Sequence, residues 1–185
     1  MDGTAESNGK GVTVRASRDT DVARVTEIYA QAVREGLASF EYDPPGAEEM
    51  ARRRAALLAE GYPYLVAEVD GGIAGYAYAG AYRTRRGYFN TVEDAVYVDP
   101  AFHRRGVGGA LLLRLVEECE ALGFRLMVAV IGDSDNTGSI GLHRAAGFRL
   151  VGVFHGIGYK HGRWLDSVQM ERALGPGESR PPTRK

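Results

Sequence analysis

The chain has 185 residues, of which 44% are hydrophobic and 25% charged, a composition typical of a soluble globular domain with its own core. Its 23 basic and 24 acidic side chains nearly cancel, which argues against a bulk nucleic-acid-binding protein. A single cysteine excludes an intramolecular disulfide and favours a cytoplasmic location. The sequence shows neither a signal peptide nor an apolar run of the length that a membrane span needs.

One domain is expected between two polar tails. Residues 1–11 and 173–185 are small, polar or rich in proline and glycine, so we predict that both are disordered. The segment 12–172 contains no internal repeat and no linker, and we interpret it as a single domain.

Strand-like and helix-like patterns alternate along this segment. Apolar runs and alternations predict strands at 12–16, 64–70, 73–82, 91–98, 124–132, 148–158 and 163–174. Apolar spacings of three and four predict helices at 20–36, 48–60, 106–123 and 136–146. The combination indicates a mixed α/β (α+β) domain with antiparallel hairpins and a parallel portion at the centre of its sheet.

The glycine-rich segment HRRGVGG, residues 103–109, lies between the strand that ends at Val98 and a long helix. It lacks the Gly-Lys-Ser/Thr ending of a P-loop and the spacing of a dinucleotide fingerprint. Amides at a helix start have no intrahelical partner, and glycines let a pyrophosphate approach them closely. The loop alone is consistent with a phosphate site and equally with a plain helix start flanked by solvated arginines.

Two motifs in order resemble the GCN5-related N-acetyltransferase (GNAT) family. The family's Q/R-x-x-G-x-G/A falls on residues 103–108, with His103 at the position usually taken by Gln or Arg. A second motif, N-x-x-S/A-x-x-L-Y/H-x-x-x-G-F, matches residues 136–148. The segments SFEYDPP, TVEDAVYV and GYKHGRWLD are similar to the phosphinothricin and methionine-sulfoximine N-acetyltransferase branch. The resemblance covers residues 12–172.

This resemblance implies the acyl-CoA N-acyltransferase fold, a mixed and mostly antiparallel sheet flanked by helices, and acetyl-CoA as co-substrate. It implies transfer of the acetyl group to the α-amine of a small amino-acid-like acceptor, including herbicide-like glutamate analogues. The histidines show no metal-ligand spacing, so no metal is expected. The residues expected to contact the cofactor are Val96, Tyr97, Val98, His103, Arg104, Arg105, Gly106, Val107, Gly108, Gly109, Asn136 and Ser139.

Two side chains are candidates for catalysis. The family assigns the role of general base to a glutamate in the context occupied by Glu93. Asp94 points to the opposite face of the strand and is the weaker candidate. His143 is a candidate proton donor to the leaving thiolate or a second base, and its alternative is a surface histidine on an amphipathic helix. Asn136 could bind the pantetheine amide, cap the helix, or do both.

The acceptor is expected near a basic segment between two strands. Arg83 could bind an α-carboxylate in bidentate fashion, with Phe40, Tyr82 and Tyr88 as walls, while a solvated basic loop is the alternative. The resemblance implies a homodimer, with no nucleic-acid or membrane partner. Alternative functions are acetylation of a peptide, protein or polyamine, and a non-catalytic acyl-CoA-binding module. A nucleic-acid binder using Arg52–Arg54 and Arg83–Arg86 lacks a recognisable module.

Overall fold

Strands and helices alternate in a computed structural model that describes residues 6–8 and 11–184. The strands are β1 (Glu6–Asn8), β2 (Val12–Ala16), β3 (Tyr64–Val69), β4 (Gly72–Ala81), β5 (Thr91–Val98), β6 (Leu126–Gly132), β7 (Arg149–Lys160) and β8 (Arg163–Ala173). The helices are α1 (Val22–Glu35), α2 (Ala47–Ala59), α3 (Val107–Ala121) and α4 (Thr137–Ala145). Short 3-10 turns at Asp19–Asp21, Arg86–Tyr88 and Pro100–Phe102 precede α1, β5 and α3.

All eight strands belong to one sheet, in the order β1-β2-β3-β4-β5-β6-β8-β7. Strands β5 and β6 are parallel because α3 crosses over between them, and every other neighbouring pair is antiparallel. The mixed, mostly antiparallel sheet with a parallel portion at its centre is thereby confirmed.

The sheet buries both faces against helices. Leu111, Leu112 and Leu115 of α3 are fully buried on one face, at the helical spacing that the sequence shows. Val25 and Val33 of α1 are buried on the other face, together with Met50 of α2. Each such side chain contributes about 1.5–3 kcal/mol by leaving water. Over the described ranges, no helix is both long enough and apolar enough to cross a membrane.

The chain departs from the predicted tails at both ends. Within 1–11, the backbone of β1 pairs antiparallel with β2, which needs no apolar side chains; the rest of that segment, save residue 11, lies outside the described residues. The predicted disorder of 173–185 differs from the structure over 173–184. Leu174 is fully buried, and the Arg184 guanidinium lies 4.6 Å from the ring centre of Phe89 and 4.1 Å from that of Phe124. These contacts attach the segment to the domain.

Candidate active site

The parallel strands β5 and β6 separate after three residue pairs. Pairing joins Thr91–Glu93 to Leu126–Val128 and stops there, while each strand remains paired with its antiparallel neighbour on the other side. A cavity of about 330 Å³ lies in the resulting wedge. Its lining comes from the 38–40 loop, β4, β5, β6, α4 and β8, and comprises Ala38, Ser39, Phe40, Tyr78, Glu93, Asp94, Ala95, Val96, Tyr97, Ala129, Val130, Ile131, Gly132, Asn136, Ser139, His143 and Ser167.

The wedge exposes backbone amides of β5. Asp99 donates to the Ala74 carbonyl of β4 and the Thr91 carbonyl accepts from Tyr82, so the odd-numbered residues of β5 direct their amides and carbonyls towards β4. Because antiparallel pairing alternates, Val96 and Val98 direct theirs into the wedge. Of the three β5 residues expected to contact acetyl-CoA, Tyr97 therefore turns its amide away.

The glycine-rich loop lies at the end of this wedge. Gly106 precedes α3 with φ +85°, and the first intrahelical bond is donated by Ala110 to the Gly106 carbonyl at 3.0 Å. The amides of Val107, Gly108 and Gly109 come before that bond and form the positive end of the helix. A Cβ at Gly108 would lie 3.6 Å from the Val98 side chain, so the helix start and the end of β5 are adjacent. Such a cradle fits a pyrophosphate.

Two of the three basic residues of the loop, His103 and Arg105, have partners within the protein. Nε2 of His103 lies 3.1 Å from the Val98 carbonyl, which can only accept, so the ring donates there. Arg105 pairs with Asp70 at 3.3 Å and lies over the Phe102 ring. Arg104 has a positive φ of 59°, an uncommon conformation for a residue other than glycine.

Glu93 and Asp94 lie on opposite faces of β5, as the strand period predicts. Both line the cavity. Burial raises the pKa of Glu93, and the neighbouring charge of Asp94 raises it further, while Arg83 acts in the opposite direction. A carboxylate whose pKa is raised towards neutrality is better suited to accept a proton from an ammonium.

Asp94 forms a buried pair with His143. Their side chains are 2% and 4% exposed, and Nε2 of His143 lies 3.0 Å from Oδ2 of Asp94. Nδ1 lies 2.8 Å from the Ser139 carbonyl, an acceptor, so Nδ1 carries a proton. Burial opposes protonation of His143, but the hydrogen bond and charge of Asp94 outweigh it and raise the pKa of His143. The alternative of a surface histidine is thus wrong, because α4 turns this side chain towards the sheet.

Asn136 caps α4. Its Oδ1 accepts from the Ser139 amide at 3.1 Å, and its Nδ2 donates to the Gly132 carbonyl at 3.4 Å. Both Asn136 and Ser139 line the cavity. The capping role expected as the alternative for Asn136 is therefore present, and its position beside the cavity is compatible with a second role.

The residues expected around the acceptor are divided between the cavity and its surroundings. Phe40 lines the cavity; within the described chain, Tyr82, Arg83 and Tyr88 do not. Tyr82 and Tyr88 meet edge to face at 5.8 Å, and Arg83 lies 5.1 Å over the Tyr82 ring. The charge of Arg83 nevertheless acts on Glu93.

Among the lining residues that were not assigned to the site from the sequence, four have polar side chains: Ser39, Tyr78, Asp94 and Ser167. Among them only Asp94 carried a signal, its position beside Glu93 in the TVEDAVYV segment. Ser39, Tyr78 and Ser167 come from separate elements, and no local spacing connects them.

Comparison with known proteins identifies the family. The family described as acetyltransferase (GNAT) domain matches residues 14–169. The chain belongs to this family. The phosphinothricin N-acetyltransferase of Alcaligenes faecalis is 50% identical over 167 residues, which cover 90% of this chain and 85% of the relative. The L-methionine sulfoximine/L-methionine sulfone acetyltransferase of Salmonella typhimurium is 38% identical over 163 residues, covering 88% and 95%.

The fold of the chain is shared with a solved GNAT structure. The phosphinothricin acetyltransferase of Sinorhizobium meliloti, in complex with acetyl-CoA, superposes with a TM-score of 0.91 at 46% identity and covers 94% of each chain. The resemblance to the phosphinothricin branch, the GNAT fold and the enzyme class expected from the sequence are confirmed. The protein is an acetyl-CoA-dependent N-acetyltransferase.

Proposed function

We propose that this protein transfers the acetyl group of acetyl-CoA to the α-amine of a small amino-acid-like acceptor of the phosphinothricin, methionine sulfoximine or methionine sulfone type. The observation that supports it most is the position of Glu93. Its carboxylate has a raised pKa and lines the cavity of about 330 Å³ in the wedge into which the amides of Val96 and Val98 point. The named activities of the relatives from Alcaligenes faecalis and Salmonella typhimurium support the acceptor class.

Glu93 performs the first step as general base. Its carboxylate removes a proton from the acceptor ammonium, directly or through a water, so that the amine nitrogen acquires a free electron pair. That nitrogen forms a bond to the thioester carbonyl carbon, the carbon–sulfur bond breaks, and the sulfur leaves with the bonding electrons. The nitrogen gives up a further proton to water and becomes the product amide, and Glu93 returns to its carboxylate form by releasing the first proton to solvent.

The backbone of β5 stabilises the charge that develops during this attack. Bound acetyl-CoA would supply the activated acetyl group, and the amides of Val96 and Val98, which face the wedge, would donate to its carbonyl oxygen as negative charge develops. The amides of Val107–Gly109 hold the pyrophosphate at the start of α3. These donors are fixed by the fold before the reaction begins, so that little reorganisation is needed.

His143 protonates the leaving thiolate. The Asp94 carboxylate favours the charged form of the imidazole, in which Nε2 donates to Asp94 and Nδ1 donates to the Ser139 carbonyl. To reach sulfur, the proton on Nε2 exchanges its hydrogen bond to Asp94 for one to the thiolate, while the proton on Nδ1 still bonds to the Ser139 carbonyl and stabilises the resulting neutral tautomer. Asp94 therefore favours the protonated ring, and the Ser139 carbonyl holds the ring during the transfer.

The acceptor lies on the Glu93 side of the sheet. Phe40 is its wall within the cavity, and Arg83 binds its carboxylate with Tyr82 and Tyr88 beside it. The small volume favours an amino acid over a folded protein. Peptide, protein and polyamine acceptors, and binding of acetyl-CoA without catalysis, are the alternatives that the experiment distinguishes.

A panel of acceptors tests the proposal. Release of free thiol from acetyl-CoA is followed with phosphinothricin, methionine sulfoximine, methionine sulfone, unmodified amino acids, a short peptide and spermidine. We expect turnover with at least one of the three analogues and much slower release with the peptide and spermidine. Turnover confined to the peptide or spermidine would refute the acceptor class, and binding of acetyl-CoA without any turnover would refute the catalytic assignment.

We also propose that the protein is a homodimer joined through the β7–β8 hairpin. Strand β7 is at the edge of the sheet, and Phe154, Ile157 and Trp164 of this hairpin are more than half exposed. Apolar side chains clustered on an edge strand are typical of a subunit contact. Sedimentation equilibrium is expected to give a dimer for the wild type and a monomer for Phe154→Glu; a monomeric wild type would contradict the proposal.

The cytoplasmic location stays a prediction.

A further inference from the structure

The loop between α1 and α2 holds Phe40 between two glycines. A Cβ at Gly158 of β7 would lie 2.7 Å from Cδ2 and 3.0 Å from Cζ of Phe40, and a Cβ at Gly132 of β6 would lie 3.1 Å from Cε1. Neither glycine has a positive φ. At Gly158 the three atoms nearest to a Cβ all belong to the ring, whereas at Gly132 a Cβ would meet the Leu37 carbonyl oxygen before the ring. Both positions therefore require space for the loop, and not the backbone freedom of glycine.

Lys160, two residues after Gly158, fastens the same loop. Its side chain is almost fully buried, and Nζ donates to the carbonyls of Val33 at 2.7 Å, Ser39 at 2.8 Å and Gly36 at 3.2 Å. Three acceptors satisfy the three protons of an ammonium. Val33 and Gly36 lie at the C-terminus of α1, where the helix dipole favours a cation.

The choice of lysine at this position is informative. The chain has three lysines and twenty arginines, yet the most deeply buried cation among the described residues is Lys160. A compact ammonium can reach three converging carbonyls, whereas a planar guanidinium directs its donors in a fixed fork. A further hydrogen bond from the Tyr42 hydroxyl to the Tyr159 carbonyl joins loop and strand on the same side.

We propose that Gly158 and Lys160 are positioning residues that determine acceptor affinity, because they hold Phe40 at a fixed place over the cavity. The inference rests on the proposed function, in which Phe40 is a wall of the acceptor site. We call the contacts of Gly132, Gly158 and Lys160 with the Phe40 loop the clamp. In the described part of the chain, these contacts go to α1, β6 and β7, and none goes to the loop 103–109. The clamp therefore acts on acceptor binding and leaves acetyl-CoA binding unchanged.

Steady-state kinetics of Gly158→Ala test the inference, with Gly152→Ala as a matched control. Gly152 lies on the same strand, and a Cβ there would meet no atom within 4 Å. We expect Gly158→Ala to raise the KM of the acceptor on the order of tenfold, since a small displacement of a positioning group is costly. The Kd of acetyl-CoA, measured by calorimetry, should equal that of the control.

A double-mutant cycle identifies the path of the effect. If Gly158 acts through Phe40, Gly158→Ala combined with Phe40→Ala has the same acceptor KM as Phe40→Ala alone. Full additivity of the two substitutions would overturn the inference. So would an acceptor KM of Gly158→Ala equal to that of Gly152→Ala, or an equal weakening of acetyl-CoA binding.

Lys160→Met provides a second route to the same loop. This substitution keeps an unbranched side chain that is one atom shorter and removes all three hydrogen bonds, so we expect the same rise in acceptor KM with an unchanged acetyl-CoA Kd. If Lys160→Met does not fold, the kinetics of Gly158→Ala alone test the inference. If the wild type turns over and Gly158→Ala has the same acceptor KM as Gly152→Ala, the positioning role is refuted and the proposed function is not. If the wild type shows no turnover, both the proposed function and the positioning role are refuted.

Discussion

The substitution Asp94→Asn is expected to destabilise the protein in a pH-dependent way. It keeps the shape of the side chain and a hydrogen-bond acceptor for His143, but it removes the charge that stabilises the imidazolium. The two side chains are 2% and 4% exposed. Removing one partner of a buried ion pair costs 3–5 kcal/mol, and we expect about 3 kcal/mol because an acceptor remains. For a chain of this size that is a fall in Tm of about 6–12 °C.

The sign of the pH dependence follows from the raised pKa of His143. A raised pKa in the folded state means that the pair stabilises fully below the unfolded pKa of about 6.5. This stabilisation is lost as the pH rises through the folded pKa. The difference in unfolding free energy between wild type and Asp94→Asn should therefore be largest at pH values below about 6.5 and should become smaller at alkaline pH.

Urea denaturation from pH 5.5 to 9 measures this difference, with His143→Gln and the double variant completing a cycle. We expect a coupling free energy between Asp94 and His143 that falls as the pH rises. A coupling that is the same at every pH, or a loss below about 0.5 kcal/mol as for an ordinary surface substitution, would refute the account of a buried charged pair.

Three further substitutions have defined expectations. Arg83→Gln should shift the acid limb of the kcat/KM profile to higher pH, because its charge lowers the pKa of Glu93; an unchanged limb would contradict this. Gly141→Ala, in an exposed part of α4 with open space at Cβ, should raise the unfolding free energy by about 0.5–1 kcal/mol in thermal melts, and a loss would refute the reading. Gly106→Ala should cost about 1 kcal/mol and weaken acetyl-CoA binding in calorimetry, because φ is +85°; wild-type affinity would argue against the loop as the anion site.

Local pattern predicted the elements well. Strand β5 was predicted with the bounds that the structure has, because its apolar alternation ends at Asp99-Pro100. The same period of two placed Glu93 and Asp94 on opposite faces. Helix α3 begins one residue after the predicted position, since Gly106 takes the left-handed conformation that ends the preceding turn.

Local patterns in the sequence do not show which residues contact each other over long distances along the chain. A period of two shows which face Asp94 occupies, but its partner His143 comes from an element 49 residues later. The sequence places Lys160 in the GYKHGRW segment but does not show its partners, because they are backbone carbonyls, which any sequence could supply. The packing of 173–184 was missed for a similar reason: Arg184 lies between two rings that are distant in the sequence.

The central claim is that Glu93 is the general base, and the rate of acetyl transfer by Glu93→Gln tests it most directly. Glu48→Gln, at an exposed position in the first turn of α2, is the matched control. With saturating acetyl-CoA and an acceptor of the phosphinothricin type, we predict a fall in kcat of about 10²–10⁴-fold for Glu93→Gln and none for the control. The Kd of acetyl-CoA should stay unchanged. A Glu93→Gln variant with the turnover of the control would contradict the account.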